Sequence, residues 1–453
     1  MKSIDRQDVL VIGGGVAGAL AAVAAARMGA KTMLAEEMGF LGGSMTACGT
    51  GPMMTFHAGD TQVVQGLGEE LITRLKAKGL SPGHTADSTG YTYSVTPFDV
   101  EGMKRELELM ALEAGVTLLY HANAIGVRKE GANLEAVRLY SCGHTFEVEA
   151  DIFIDASGDA DVIAMAGVPF DKGRASDGRD QPMTMNFRVD GVDIPKVRAL
   201  MKSDRALFPL LVDKPGLEDK ALRLSISGMY DLMHKAMREG DITFDRNVVL
   251  VFETNHPGEV IVNMTRINGE DATDPLSLSR AESEGRRQVW ELLAFLKRSV
   301  PGFENIRLLF SGPKVGVRSS RRMRGLYTLT ADDVLAGTKF EDGISAYGYP
   351  VDVHSSDKGG DTTSTFLAWG DYYLIPYRCL INDVVPNLMA AGRNISCTFE
   401  AQASTRTSPS CCALGHAAGC AAALCTAQGI QPGELSVPAL REALRGQNAF
   451  LGE

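Results

Sequence analysis

The chain has 453 residues, enough for two or three domains or for one large α/β unit carrying an insertion. Apolar residues make up 45% and charged residues 22%, so a full core is available and a disordered chain is excluded. Asp plus Glu outnumber Lys plus Arg by 56 to 45, a formal net charge of −11, and with no long basic run this excludes general nucleic-acid binding.

Along the chain, residues 8–12 (DVLVI) are a short run of β-formers that ends in the glycine-rich turn 13–18. An Ala-rich helix over 17–28 and a second strand over 31–35 follow. Strand, turn, helix and strand in that order begin a parallel doubly wound sheet. The spacing of apolar residues predicts an amphipathic helix over 98–114, a strand at 116–120 and a hairpin through 124–148. A strand at 151–155 then enters a small-residue turn at 156–160. The stretch 167–314 is richer in charge, with strands near 183–189, 248–252 and 259–266 and helices near 220–239 and 276–299. The expected fold class is therefore α/β. A doubly wound, Rossmann-like first part (1–166) and returning part (315–453) enclose an inserted α+β substrate or cap domain (167–314). The returning part closes with a strand at 387–391 and a helix over 409–427.

Glycine is the compositional outlier at 49 residues, about 11% against a usual ~7%, with no collagen period. Such an excess suits tight turns and close backbone approaches to a ligand. The eight cysteines, at 48, 142, 379, 397, 411, 412, 420 and 425, form no Cys-x-x-Cys, so no metal site is expected and the thiols read as reduced. Residues 1–8 are polar and lead straight into a strand, with no secretory apolar region. The longest apolar stretches, near 17–26 and 413–425, are Ala/Gly-rich and shorter than the ~20 residues of a membrane span. The expectation is a cytoplasmic protein without such a span.

Gly13, Gly15 and Gly18 form Gly-x-Gly-x-x-Gly between a strand and a helix. The first glycine permits the turn, the second lets backbone N–H groups approach a pyrophosphate, and the third lets helix and strand pack closely. Val16 and Ala17 open the helix whose N-terminus faces the anion. Glu36 ends the second strand, where a carboxylate accepts hydrogen bonds from an adenosine ribose, with Glu37 beside it. A dinucleotide site follows from this context.

Three later segments carry a resemblance. Residues 39–46 (GFLGGSMT), with Gly42, Gly43 and Ser44, follow the second strand directly. Residues 151–159 (DIFIDASGD), with Ala156, Ser157, Gly158 and Asp159, look like an Ala-Thr-Gly-Asp strand–turn with Ser157 in place of Thr. Residues 387–393 (NLMAAGR) end in Gly392 and Arg393. Together with 315–323 (VGVRSSRRM) and 375–380 (IPYRCL), these resemble FAD-dependent oxidoreductases of the glutathione-reductase-like flavoprotein superfamily. The resemblance implies FAD as cofactor. It also implies that the start of the last long helix, with small residues such as Cys412 and Gly415, approaches the flavin ring. A helix N-terminus there stabilises reduced flavin by roughly 0.3–1 kcal/mol. An Ala/Gly helix packed tightly on the sheet is the other reading of the same residues. Cys48 and His57 follow the glycine pair and read as lining residues, with a covalent flavin tether at either as the other reading. No second dinucleotide motif and no disulfide-reductase cysteine pair occurs.

The polar groups singled out for substrate chemistry are Arg318, Arg321, His354, Tyr377, Arg378 and Arg406. An arginine clamps a carboxylate bidentately, and a histidine moves a proton near neutral pH. The assignment made from these is a catalytic set of His354, Arg318 and Arg378. The expected activity is an FAD-dependent dehydrogenase or reductase that transfers a hydride between flavin N5 and a small polar, carboxylated or hydroxylated, substrate. Its partners are that small molecule and an electron acceptor, and a homo-oligomer stays open. Two other readings also stay open: an electron-transfer subunit of a larger complex, and a non-redox flavoprotein isomerase.

Overall fold

The computed structural model describes residues 4–452 apart from 358 and 361. Its chain begins with β1 (Gln7–Ile12), α1 (Val16–Arg27) and β2 (Thr32–Ala35), and β1 and β2 run parallel with Val9 opposite Thr32. Val9, Leu10 and Val11 are fully buried, as in a parallel strand covered on both faces. After α2 (Val100–Glu113), whose N-terminus is capped by the Asp99 carboxylate on the Gly102 N–H, β3 (Thr117–Leu119) adds to the outer edge of β2.

The meander β4 (Asn123–Glu130), β5 (Asn133–Ser141) and β6 (His144–Asp155) departs from expectation in one respect. The strand expected at 151–155 is the second half of β6. Its first half pairs antiparallel with β5, and its second half pairs parallel with β1, Ile154 lying opposite Val11. Far along the chain, β14 (Leu388–Ala390) pairs with the other edge of that half, Leu388 opposite Phe153. Between them stands a second, antiparallel sheet of β7 (Phe187–Asp190), β8 (Ser225–Gly228), β9 (Val249–Glu253), β10 (Val260–Val262) and β11 (Arg307–Ser311), in the order β8-β9-β10-β7-β11. It has its own apolar core, from Met185 to Ile306, which is backed by α3 (Pro275–Ser299). A helix expected over 220–239 starts only at Tyr230, because residues 225–228 are drawn into β8.

The returning part supplies the hairpin of β12 (Val351–His354) and β13 (Thr362–Thr365), then β14, α4 (Phe399–Thr405) and α5 (Ser408–Gln428). Helices α1 and α5 lie directly on each other. A Cβ built on Gly415 would stand 2.0 Å from the Ala17 carbonyl oxygen, and one on Gly419 would stand 2.1 Å from that of Ala21. Two glycines four residues apart occupy one helix face, so the two backbones touch. Of the described helices, α5 is long and apolar enough to cross a membrane, and most of it is buried inside the protein.

Candidate functional site

The three motif glycines do different work. Gly13 has φ +98°, and a Cβ there would stand 2.4 Å from the Ala156 carbonyl oxygen. One on Gly18 would stand 1.8 Å from the Gly13 carbonyl oxygen. The chain's own packing therefore demands both. Gly15, the N-cap of α1, has φ −56°, and its added Cβ would meet nothing nearer than the Gly43 Cα at 3.9 Å. No neighbour in the protein forbids a side chain at Gly15, so the open space beside the loop is what a ligand's phosphates would use.

The loop 42–44 closes over this turn. The Gly42 N–H donates to the Gly14 carbonyl at 2.8 Å, and a Cβ on Gly43 would stand 2.8 Å from the Gly15 Cα. Ser44 is exposed beside it, and Val16 and Ala17 are buried under it. Glu36, 6% exposed, accepts from the Gly14 N–H at 2.5 Å and the Met38 N–H at 2.8 Å. Burial raises its pKa against those two bonds, and the carboxylate buttresses the loop. Glu37 is half-exposed and paired with Lys314.

Asp155, fully buried at the end of β6, accepts from the Ser157 N–H and hydroxyl and from the Ile163 N–H, and so shapes the turn 156–160. Gly158 has φ +84°, and a Cβ there would stand 2.4 Å from Arg393 Nη1. Arg393 reaches on to Asp159 Oδ1 at 2.5 Å. Gly392, φ +108°, brings the end of β14 to 3.2 Å from the Ala17 methyl, measured from the Cβ it lacks. The segments 13–18, 42–44, 156–159 and 392–393, far apart in sequence, thus meet at the C-terminal ends of β1, β6 and β14.

Around that junction Arg393 Nε, Asn394 Oδ1, Gln402 Oε1 and Ser410 Oγ are buried without a hydrogen-bond partner. Leaving such atoms unpaired costs about 1–3 kcal/mol each. An open glycine cradle followed by unpaired donors and acceptors fits a long polar group such as a pyrophosphate with a polyol chain. FAD fits these residues. The buried Cys411, in the first turn of α5, lies within electrostatic reach of both Arg393 and Arg406.

Two residues expected against the flavin are turned elsewhere. Gly415 is taken up by its contact with Ala17, and Cys412 is fully buried with its Cβ 3.1 Å from where a Cβ on Gly68 would lie. They are packing residues, because the faces they occupy are those α5 turns to α1 and to the helix Leu67–Ala77.

Beyond Cys411 lies a buried polar cluster. On β12, Asp352 and His354 leave one face of the strand, and His354 Nε2 donates to Asp352 Oδ2 at 3.2 Å. The Thr362 hydroxyl lies 3.0 Å from His354 Nδ1, so Nδ1 is the accepting nitrogen. Ser364 donates to Asp352 Oδ1 at 3.1 Å and itself accepts from the Tyr91 hydroxyl at 2.7 Å. Gln181 Oε1 accepts from the His354 N–H at 3.2 Å and from Arg406 Nη2 at 3.4 Å. One residue on, the Pro182 carbonyl accepts from Arg318 Nη1 at 2.5 Å, and the Thr184 hydroxyl also holds that guanidinium.

Burial, then the neighbouring Arg318, pushes His354 down to about 3, so the imidazole is neutral at pH 7 rather than poised near it. Burial would raise Asp352, but His354 and Arg406 outweigh it, and this carboxyl stays ionised well below the usual range. Arg318 is pushed down to about 9, first by burial and next by Arg406.

The other expected substrate residues lie outside this cluster. Arg378 is 45% exposed, pairs with Asp342 at 2.8 Å and lies over the Tyr327 ring. It belongs to the surface, since it opens a short turn after the buried strand Tyr373–Pro376. Arg321 turns to the Asp159 carbonyl and to Asp161, because the stretch 317–321 is not helical and a three-residue spacing there does not put two side chains on one face. Tyr377 donates to the Pro432 carbonyl. Asp352 was legible as the i, i+2 partner of His354 on a strand, whereas nothing in the sequence marked Gln181 or Thr362.

The family model for FAD-dependent oxidoreductases matches residues 8–444, so this chain belongs to that family, and FAD is its cofactor. No curated protein matches the sequence. Among solved structures, a geranylgeranyl bacteriochlorophyll reductase-like protein from Thermoplasma acidophilum is 13% identical, with TM-score 0.48 over 98% of this chain and 84% of that one. A flavin-dependent brominase is 13% identical, with TM-score 0.49 over the same shares. A flavoprotein/dehydrogenase from Cytophaga hutchinsonii is 14% identical, with TM-score 0.47 over 99% of this chain and 84% of that one. Likenesses at this level do not assign a reaction.

Proposed function

We propose that this enzyme is a dehydrogenase or reductase of the glutathione-reductase-like branch, acting on a small polar substrate bound at the His354 cluster. The observation that carries the reading is the position of Arg406. It follows α4 directly, one residue before Thr407 at the start of α5, and acts on both Cys411 in the first turn of that helix and Gln181 in the polar cluster. Bound FAD supplies the redox chemistry, exchanging two electrons as a hydride at N5.

The chain's own residues bind, orient and move a proton. Arg318, fixed by the Pro182 carbonyl and the Thr184 hydroxyl, presents a rigid donor fork to the substrate. His354 keeps its Nδ1 lone pair on the Thr362 hydroxyl, and a substrate hydroxyl taking that place would pass its proton to Nδ1. Asp352, held through Nε2, fixes the ring and stabilises the imidazolium that results. The test is an anaerobic screen of small acids, alcohols and sugars against the purified yellow protein. Bleaching of the flavin absorbance by a substrate supports the reading, and an enzyme that no member of the screen reduces, but that turns over without any acceptor, would overturn it.

A further inference from the structure

We infer that Arg318, Arg406 and Gln181 form a carboxylate-binding site, so that the substrate is a small carboxylic acid. This rests on placing the substrate at the His354 cluster, as above. Gln181 is 2% exposed, and its amide orientation is decided by two donors, the His354 N–H and Arg406 Nη2, which converge on Oε1. The opposite end, Nε2, is then a buried pair of N–H groups with no acceptor. Arg406 Nε is likewise buried and unpaired, although its Nη2 reaches toward Asp352 at 4.0 Å. Arg318 is held only by a carbonyl and a hydroxyl, and no carboxylate pairs with it among the described residues.

Charge points the same way as the orphan donors. Two guanidinium groups face one carboxylate, Asp352, whose oxygens are already engaged by His354, Ser364 and Tyr349. Arg246 and Arg266 also act on Arg318, and the neutral His354 adds no charge of its own, so positive charge is in excess around Asp352. Buried charge without a partner is unfavourable, and a carboxylate with two acceptor oxygens would offset positive charge and satisfy the unpaired N–H groups. The planar fork of arginine matches the two oxygens of a carboxylate, and the single flat Gln181 amide beside it offers its donors in the same manner.

The experiment uses the FAD-loaded protein and a panel of C2–C6 monocarboxylates, each paired with the alcohol of the same skeleton, with inorganic phosphate as a further arm. Binding is read by titration calorimetry and by perturbation of the flavin spectrum, neither of which needs turnover. At least one carboxylate should bind tenfold or more tightly than its alcohol and than phosphate. Arg318→Gln, Arg406→Gln and the near-isosteric Gln181→Met should each weaken it tenfold or more at unchanged FAD content. No preference for any carboxylate over its alcohol, tighter binding of phosphate, or undiminished binding in all three variants would overturn the inference. Carboxylate binding without flavin bleaching would remove the redox reading and leave this site standing. Bleaching by neutral alcohols or sugars, with no carboxylate preference, would do the reverse.

Discussion

His354 Nε2 stands 3.2 Å from Asp352 Oδ2, and the two residues leave one face of a single strand. This dyad, with Thr362 on Nδ1, is the group best placed to take a proton beside the arginines. His354→Ala should slow flavin reduction by roughly 10²–10⁴-fold while the visible spectrum of bound FAD stays normal. Stopped-flow reduction measures it, and a rate within about threefold of wild type would remove the histidine from the mechanism. Arg378→Ala is the matching control. That exposed pair with Asp342 should change neither the rate nor FAD content, and stability by no more than about 1 kcal/mol.

Acid should destabilise the fold through its buried histidines. Burial holds His354 at about 3 and both His57 and His416 at about 4, against 6.5 when unfolded. Between those values the unfolded chain binds protons that the folded chain does not. Stability is therefore unaffected by these groups above pH 6.5 and falls as the pH drops from 6.5 toward 4. His416 lies outside the site, bonded to Gln447, so His416→Gln should flatten this part of the profile without touching catalysis. Urea unfolding at pH 7.5, 6 and 5 shows whether the slope changes.

Gly15 and Gly18 should fail differently. At Gly15 the protein leaves room for a Cβ, so Gly15→Val should fold and lose FAD, giving a colourless protein with near-native far-UV circular dichroism. At Gly18 the added atom would collide with the Gly13 carbonyl, so Gly18→Val should lose soluble protein first. Wild-type FAD occupancy in the Gly15 variant would mean that the phosphates lie elsewhere.

The thiols give a test of the packing itself. Of the eight cysteines only Cys142 is exposed, and burial pushes Cys48 and Cys397 up to about 11 and Cys411, Cys420 and Cys425 to about 12. Thiolate is the reactive form. A disulfide reagent at pH 8 should therefore titrate one thiol rapidly in the native protein and eight after denaturation. Rapid reaction of a second native thiol would show that one of the seven buried cysteines is accessible.

How far the sequence alone reached follows from the range of its signals. Residues 8–36 carry a strand, a glycine turn, a helix and a closing acid within one βαβ stretch, where period and turn chemistry are local, and the Rossmann-like start and its cofactor were legible there. The family segments at 39–46, 151–159 and 387–393 were legible as motifs, and the sheet brought them together through parallel pairing of β14 with β6. Tertiary structure alone decided what each small residue was for. Gly415 and Cys412 have the composition of a flavin-facing helix, but the faces they occupy are set by α1 and by the helix Leu67–Ala77, hundreds of residues earlier. The substrate end was decided in the same way. His354 and Arg318 share a cluster because Gln181 and Pro182 thread between them, while Arg378, as arginine-like in sequence as Arg318, emerges on the surface with Asp342. A strand's period tells which residues share its face, and it carries no information about which distant chain covers that face; only packing supplies that.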